Sequence, residues 1–141
     1  MRKLIIFLYK FNFLRRIVPT IFKVFIKMLN IKKIKIKHNN QIFILNPKNP
    51  IDREIYLKDN YEVKQIKFLE NEIDKRKIQI FIDVGAHMGF YSINFSHKKM
   101  KIYSFEPIKD NFNQLKANIN INKIKNINIF NYALSDSKRE T

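Results

Sequence analysis

Only two glycines occur in the 141 residues, and both fall within Asp83-Val84-Gly85-Ala86-His87-Met88-Gly89. Glycine serves where the backbone takes a positive φ or where another group approaches closely. A chain this poor in glycine has kept it at a single turn. Before that turn runs Ile78-Gln79-Ile80-Phe81-Ile82, an apolar strand pattern, and after it runs Phe90-Tyr91-Ser92-Ile93-Asn94-Phe95, which has helical spacing. Strand, glycine turn and helix in this order build the ligand site of open α/β sheets, at the carboxyl end of the strand.

The length suits one ordinary domain core. There is no cysteine, which excludes a disulfide framework, a thiol nucleophile and a thiolate metal site. His38, His87 and His97 are scattered without ligand spacing, so no metal site is expected. The net charge of +16 is uneven: residues 1–51 hold twelve Lys/Arg and no acidic residue, whereas residues 52–141 hold sixteen Lys/Arg against twelve Asp/Glu. Such asymmetry points to an anionic surface, either membrane or nucleic acid.

Residues 1–30 mix apolar, aromatic and basic side chains with no apolar run long enough to span a bilayer or to serve as a signal peptide. Asn12, Arg16, Lys23 and Lys27 share one helical face, and Pro19 interrupts the pattern. One or two short amphipathic helices are expected, which either pack on their own domain or lie on anionic lipid. Lys33-Ile34-Lys35-Ile36-Lys37 and Gln41-Ile42-Phe43-Ile44-Leu45 flank Asn39-Asn40, which predicts a β-hairpin ended by Asn46-Pro47 and Asn49-Pro50. Residues 61–74 have helical spacing. Strands then follow at 101–105 and about 127–132, with a helix from Asp110, the expected N-cap, to about Asn122. Alternating strands and helices imply a parallel sheet.

The glycine turn departs from the dinucleotide fingerprint. His87 stands where the second glycine would admit a pyrophosphate, and Asp83 would repel one. A carboxylate at that place favours a ligand with a cationic end. Glu106, at the end of the next strand, is placed to accept ribose hydroxyls. An adenosine, a positive end and no phosphate describe S-adenosylmethionine.

Residues 81–92 (Phe-Ile-Asp-Val-Gly-Ala-His-Met-Gly-Phe-Tyr-Ser), Tyr103-Ser104-Phe105-Glu106-Pro107, Asn111-Phe112 with Leu115 and Asn118, and Asn131-Tyr132-Ala133-Leu134-Ser135-Asp136 together resemble the FkbM family of S-adenosylmethionine-dependent methyltransferases. Tyr61-Glu62 resembles an element before that family's first sheet strand, so the likeness covers roughly 61–141. It implies an α/β, Rossmann-like class I methyltransferase fold. The first three parallel strands are present, preceded by the basic amphipathic segment (1–30) and by the hairpin and a linker (31–60).

It also implies O-methylation of a sugar or small metabolite, with a small-molecule or glycan acceptor. No nucleic acid is expected, since Phe7, Phe11 and Phe13 read as an amphipathic face and not as a stacking platform on a sheet. Localisation would be cytoplasmic, with peripheral contact to an anionic membrane as an option. Asp83, Gly85, Ala86, His87 and Gly89 would line the methionine end, Glu106 would hold the ribose, and Ala133 and Leu134 would flank the adenine. The family more often carries a small polar residue at the position of His87, which taken alone also fits a structural or solvated histidine. Glu62 and Asp136 fit a helix start and a turn.

A sheet of this type typically has about seven strands, and the pattern supplies three. A cofactor-binding half is therefore expected, with weak cofactor affinity and little turnover by itself. The alternative is an inactive or scaffold α/β domain with a basic, membrane-surface-binding first segment.

Overall fold

The computed structural model describes residues 2–9, 11–58 and 60–136, and the loop expected at 137–141 lies outside them. The chain divides into two compact units: residues 1–36 with 43–63, and residues 37–42 with 64–141.

The first unit holds helices α1 (Arg2–Tyr9), α2 (Leu14–Met28) and α3 (Pro50–Leu57). The expected break at Pro19 does not occur, and α2 runs through it. Proline removes one backbone donor from the helix ladder. Beyond it, Phe22 and Ile26 are buried and hold the second half of the helix in place. Phe22 stacks on Tyr56 of α3 at 4.9 Å between ring centroids.

Helix α3 occupies a stretch that reads as linker. Asn49-Pro50 looks like a terminator, yet Asn49 accepts the Ile51 amide as N-cap and Pro50 sits in the first turn, where its missing N–H costs nothing. Asp52 is fully buried, and its Oδ2 accepts the Asn46 amide at 2.6 Å.

The hairpin forms as expected from β1 (Ile34–His38) and β2 (Gln41–Leu45). Asn39 and Asn40 take φ values of +46° and +64°, the left-handed pair that a two-residue hairpin turn demands. Residues 37–42 belong to the second unit. Asn39 donates to Asn94 Oδ1 at 3.1 Å, and Asn122 both accepts the Ile42 amide and donates to its carbonyl, each at 2.7 Å.

The second unit contains α4 (Val63–Lys75) from its second residue onward, β3 (Ile80–Val84), α5 (Phe90–Phe95), β4 (Lys101–Phe105), α6 (Lys109–Ile121) and β5 (Ile127–Phe130). The three strands form a parallel sheet in the order β3-β4-β5, joined by crossovers through α5 and α6. Side chains alternate across it. On one face Phe81 meets Phe95 edge-on, and Ile102 and Ser104 are wholly buried with Ile93, Phe95 and Leu115.

The opposite face carries Ile80, Ile82 and Val84, which are 55, 57 and 61 % exposed. Beside them Phe105 and Phe130 stack at 4.9 Å. Asp110 does not cap α6 but stands in its first turn, and Ile108 holds the cap position without a side-chain cap bond. The carboxylate that serves this helix start is Glu106, which accepts the Ile108 amide at 3.0 Å.

Candidate functional site

Strand register brings Asp83 beside Ser104, and Val84 beside Phe105, so the turns after β3 and β4 leave the sheet at the same end. The Phe105 carbonyl accepts the amides of both Gly85 (2.8 Å) and Ala86 (2.9 Å). The chain then turns through three positive φ angles, at Gly85 (+76°), His87 (+52°) and Gly89 (+87°). The Gly89 amide closes the turn on the Ala86 carbonyl at 2.7 Å.

The two glycines do different work. A Cβ on Gly89 would collide with Leu115 Cδ1 and crowd Ile93 Cδ1 at 3.1 Å. Gly89 is therefore what lets α5 and α6 pack under the turn. A Cβ on Gly85 would meet nothing within 4 Å. Gly85 lies against open space, and its backbone is free for close approach by a ligand.

Glu106 is 3 % exposed. Its Oε2 accepts the His87 amide at 2.7 Å, while Oε1 accepts the Ile108 amide at 3.0 Å and Asn111 Nδ2 at 3.2 Å. Three of the roughly four acceptor positions of a carboxylate are thus used by the protein itself. Glu106 pins the glycine turn to the start of α6. Asn111 is a residue to which sequence reasoning gave no role.

Asp83 Oδ2 accepts the Ser92 hydroxyl at 2.5 Å and the Ser92 amide at 3.3 Å, and the Ser92 hydroxyl also meets Ser104 Oγ at 2.7 Å. Burial pushes the Asp83 carboxyl above its ordinary range. The Ser92 bonds oppose this, and the charge of Glu106 adds to it. A cation beside Asp83 would offset that cost. Ser92 and Ser104 fall within the stretches that carry the resemblance, but their spacing does not disclose that Ser92 bonds to Asp83 and the two serines to each other.

Asn118 is fully buried, and its amide donates to the Met88 carbonyl at 3.0 Å. Asn131 ties the turn after β5 to the turn after β4, donating to the carbonyls of Glu106 (2.8 Å) and Pro107 (3.0 Å). Ala133 and Leu134 follow it and are exposed. Asp83, Gly85, Ala86, His87, Gly89 and Glu106 therefore gather at one end of the sheet, whereas Ala133 and Leu134 lie in the exposed segment beyond Asn131. Among the described residues no cluster of three or more His, Cys, Asp or Glu could hold a metal ion. No helix among them is long and apolar enough to cross a membrane.

No family model matches the chain, and no curated protein matches it in sequence. Solved structures do match in fold. M. jannaschii TYW2, crystallised with AdoMet, is similar at a TM-score of 0.54 and 18 % identity, over 74 % of this chain and 44 % of that one. P. horikoshii TYW2, crystallised with MeSAdo, gives 0.53 and 16 %, over 87 % of this chain and 50 % of that one. P. abyssi tRNA (uracil-54, C5)-methyltransferase, crystallised with S-adenosyl-L-homocysteine, gives 0.55 and 10 %, over 70 % of this chain and 24 % of that one.

The chain thus spans half or less of the length of each of these neighbours. The exclusion of nucleic acid drawn from the sequence is overturned by this set, since a tRNA methyltransferase shares the architecture. At these identities the likeness concerns fold. The three-stranded parallel unit has a Rossmann-like α/β fold that matches part of each of these structures, which were crystallised with AdoMet, MeSAdo or S-adenosyl-L-homocysteine.

Proposed function

We propose that the second unit binds S-adenosylmethionine at the turn after β3, as the cofactor-binding part of a methyltransferase. The observation that carries this is the pairing of Gly85, which opens to free space at φ +76°, with Asp83, a half-buried carboxylate whose pKa is raised. A ligand with a cationic end, lying against bare backbone, suits both. Neighbours of this fold crystallised with AdoMet, MeSAdo and S-adenosyl-L-homocysteine support the same ligand.

In this proposal Asp83 faces the charged methionine end, and the backbone from Gly85 to His87 forms the floor. Glu106 holds that floor in shape and keeps one acceptor position for a ribose hydroxyl. Ala133 and Leu134 border the adenine. When bound, the cofactor supplies an activated methyl group. The protein's part in such a displacement is alignment and exclusion of water.

The residue set at 81–92, 103–107 and 131–136 supports the FkbM family and, with it, transfer to an oxygen of a sugar or small metabolite. The tRNA methyltransferase among the fold neighbours brings a nucleic-acid acceptor in beside it. Incubation with methyl-labelled cofactor and either glycan or tRNA separates the two acceptors.

Calorimetric titration with S-adenosyl-L-homocysteine tests the cofactor site. Saturable binding is expected, lost in Gly85→Ala and in Asp83→Asn while the fold is kept. Absence of binding in a folded wild-type chain, or binding indifferent to both changes, would leave the unit as a scaffold.

A further inference from the structure

We propose that the α1–α2 hairpin of the first unit is a lipid-binding element, which seats in the surface of an anionic bilayer and takes an acyl chain between its helices. This stands apart from the methyltransferase proposal and does not rest on it. Between α1 and α2 lies a cleft of about 280 Å³ lined by Ile5, Leu8, Val18, Ile21, Phe22 and Phe25, all of them apolar. A polar or charged small molecule would find no hydrogen-bond partner there, whereas a hydrocarbon chain needs none.

The outer surface of the hairpin is unusual for a face in contact with water. At 100° per residue, Ile17, Ile21, Val24 and Met28 share one arc of α2, and all four are exposed. Phe22 and Ile26 lie at the other edge of the apolar arc and are buried, which fixes the helix to its own unit and leaves the first arc facing outward. On the α1 side Leu4, Phe7 and Phe11 are exposed too, with Phe7 and Phe11 in edge contact at 5.4 Å.

Arg16, Lys23 and Lys27 are exposed on the adjoining face of α2, Arg15 is exposed in its first turn, and no acidic residue precedes Asp52. An apolar arc flanked by cations, with no anion nearby, is complementary to a negatively charged lipid surface. A nucleic acid would meet the cations but leave the aliphatic arc in water. The hairpin also offers no sheet platform on which bases could stack.

Flotation of the full chain with liposomes tests the proposal. Vesicles containing phosphatidylglycerol are expected to bind it roughly tenfold or more tightly than pure phosphatidylcholine, and added salt is expected to weaken binding. The double change Val24→Glu with Met28→Glu, at two exposed positions, is expected to lower partitioning by at least about tenfold with circular dichroism unchanged. In a Phe25→Trp chain, lipids brominated on the acyl chain are expected to quench the indole, which reports the cleft. The proposal fails if the chain does not float, or if it binds both vesicle types alike at all salt concentrations. It fails equally if the double variant floats as well as the wild type, if the brominated chain does not quench, or if tRNA binding is what the double change removes.

Discussion

Glu106 Oε2 lies 2.7 Å from the His87 amide, so the end of one strand is fastened to the turn that follows its neighbour. The bond joins a buried carboxylate to a residue whose φ of +52° a side chain seldom adopts. Glu106→Gln keeps the shape but replaces one acceptor oxygen with an amide that itself needs an acceptor. It is expected to cost about 2 kcal/mol in denaturant unfolding. The His87 amide should lose hydrogen-exchange protection in that variant, while amides of β4 keep theirs.

The glycines predict opposite phenotypes. Gly89→Ala sets a methyl against Leu115 and forces φ +87° on alanine. A loss of about 2–4 kcal/mol is expected in thermal or denaturant melts. Leu115→Ala in the same chain should recover part of it, so the two changes are not additive. Gly85→Ala meets no atoms and carries only the backbone strain of φ +76°, on the order of 1 kcal/mol. It should melt close to wild type and yet fail to bind S-adenosyl-L-homocysteine.

Asp83 should make stability depend on pH with a definite sign. Burial raises its pKa in the folded chain above the unfolded value. Its contribution is therefore fully favourable below the unfolded carboxylate pKa and is lost as pH rises through the folded one. Asp83→Asn should flatten that part of the stability profile and stabilise the ligand-free chain at neutral pH, while abolishing cofactor binding. A variant less stable than wild type at neutral pH would contradict the sign.

Tyr61 offers a second titration, in the first unit. Burial, then the charges of Glu62, Glu54 and Asp52, push its phenol up to about 12. Folding stability linked to it is intact below the ordinary tyrosine range and declines as pH climbs from there toward about 12. Burial raises the Tyr56 phenol as well, so ultraviolet titration should show late-ionising tyrosines, with one fewer in Tyr61→Phe.

The parallel sheet, its two crossover helices and the hairpin turn at Asn39-Asn40 were legible because each carries a local signal. Those signals are period-two runs, a glycine turn and asparagines that tolerate left-handed backbone. Helix α3 was not, since Asn49-Pro50 serves equally as an end and as a beginning, and only the Asn49 cap bond to Ile51 distinguishes them. Pro19 misled in the other direction, because burial of Phe22 and Ile26 outweighs one missing donor.

At the site, the sequence pointed to the carboxylates but not to their hydrogen bonds. That Glu106 spends three acceptor positions on His87, Ile108 and Asn111 depends on loop geometry that no spacing encodes. The apolar run Ile80-Phe81-Ile82 gave the strand but not its faces, and Ile80 and Ile82 stand exposed.

The division of labour between Gly85 and Gly89 has a practical outcome for any random library built on this chain. Lesions at the second glycine should surface as insoluble or degraded product and be discarded by a screen for expression. Lesions at the first should pass that screen as abundant, well-behaved and chemically silent protein, so only an assay for ligand would expose them.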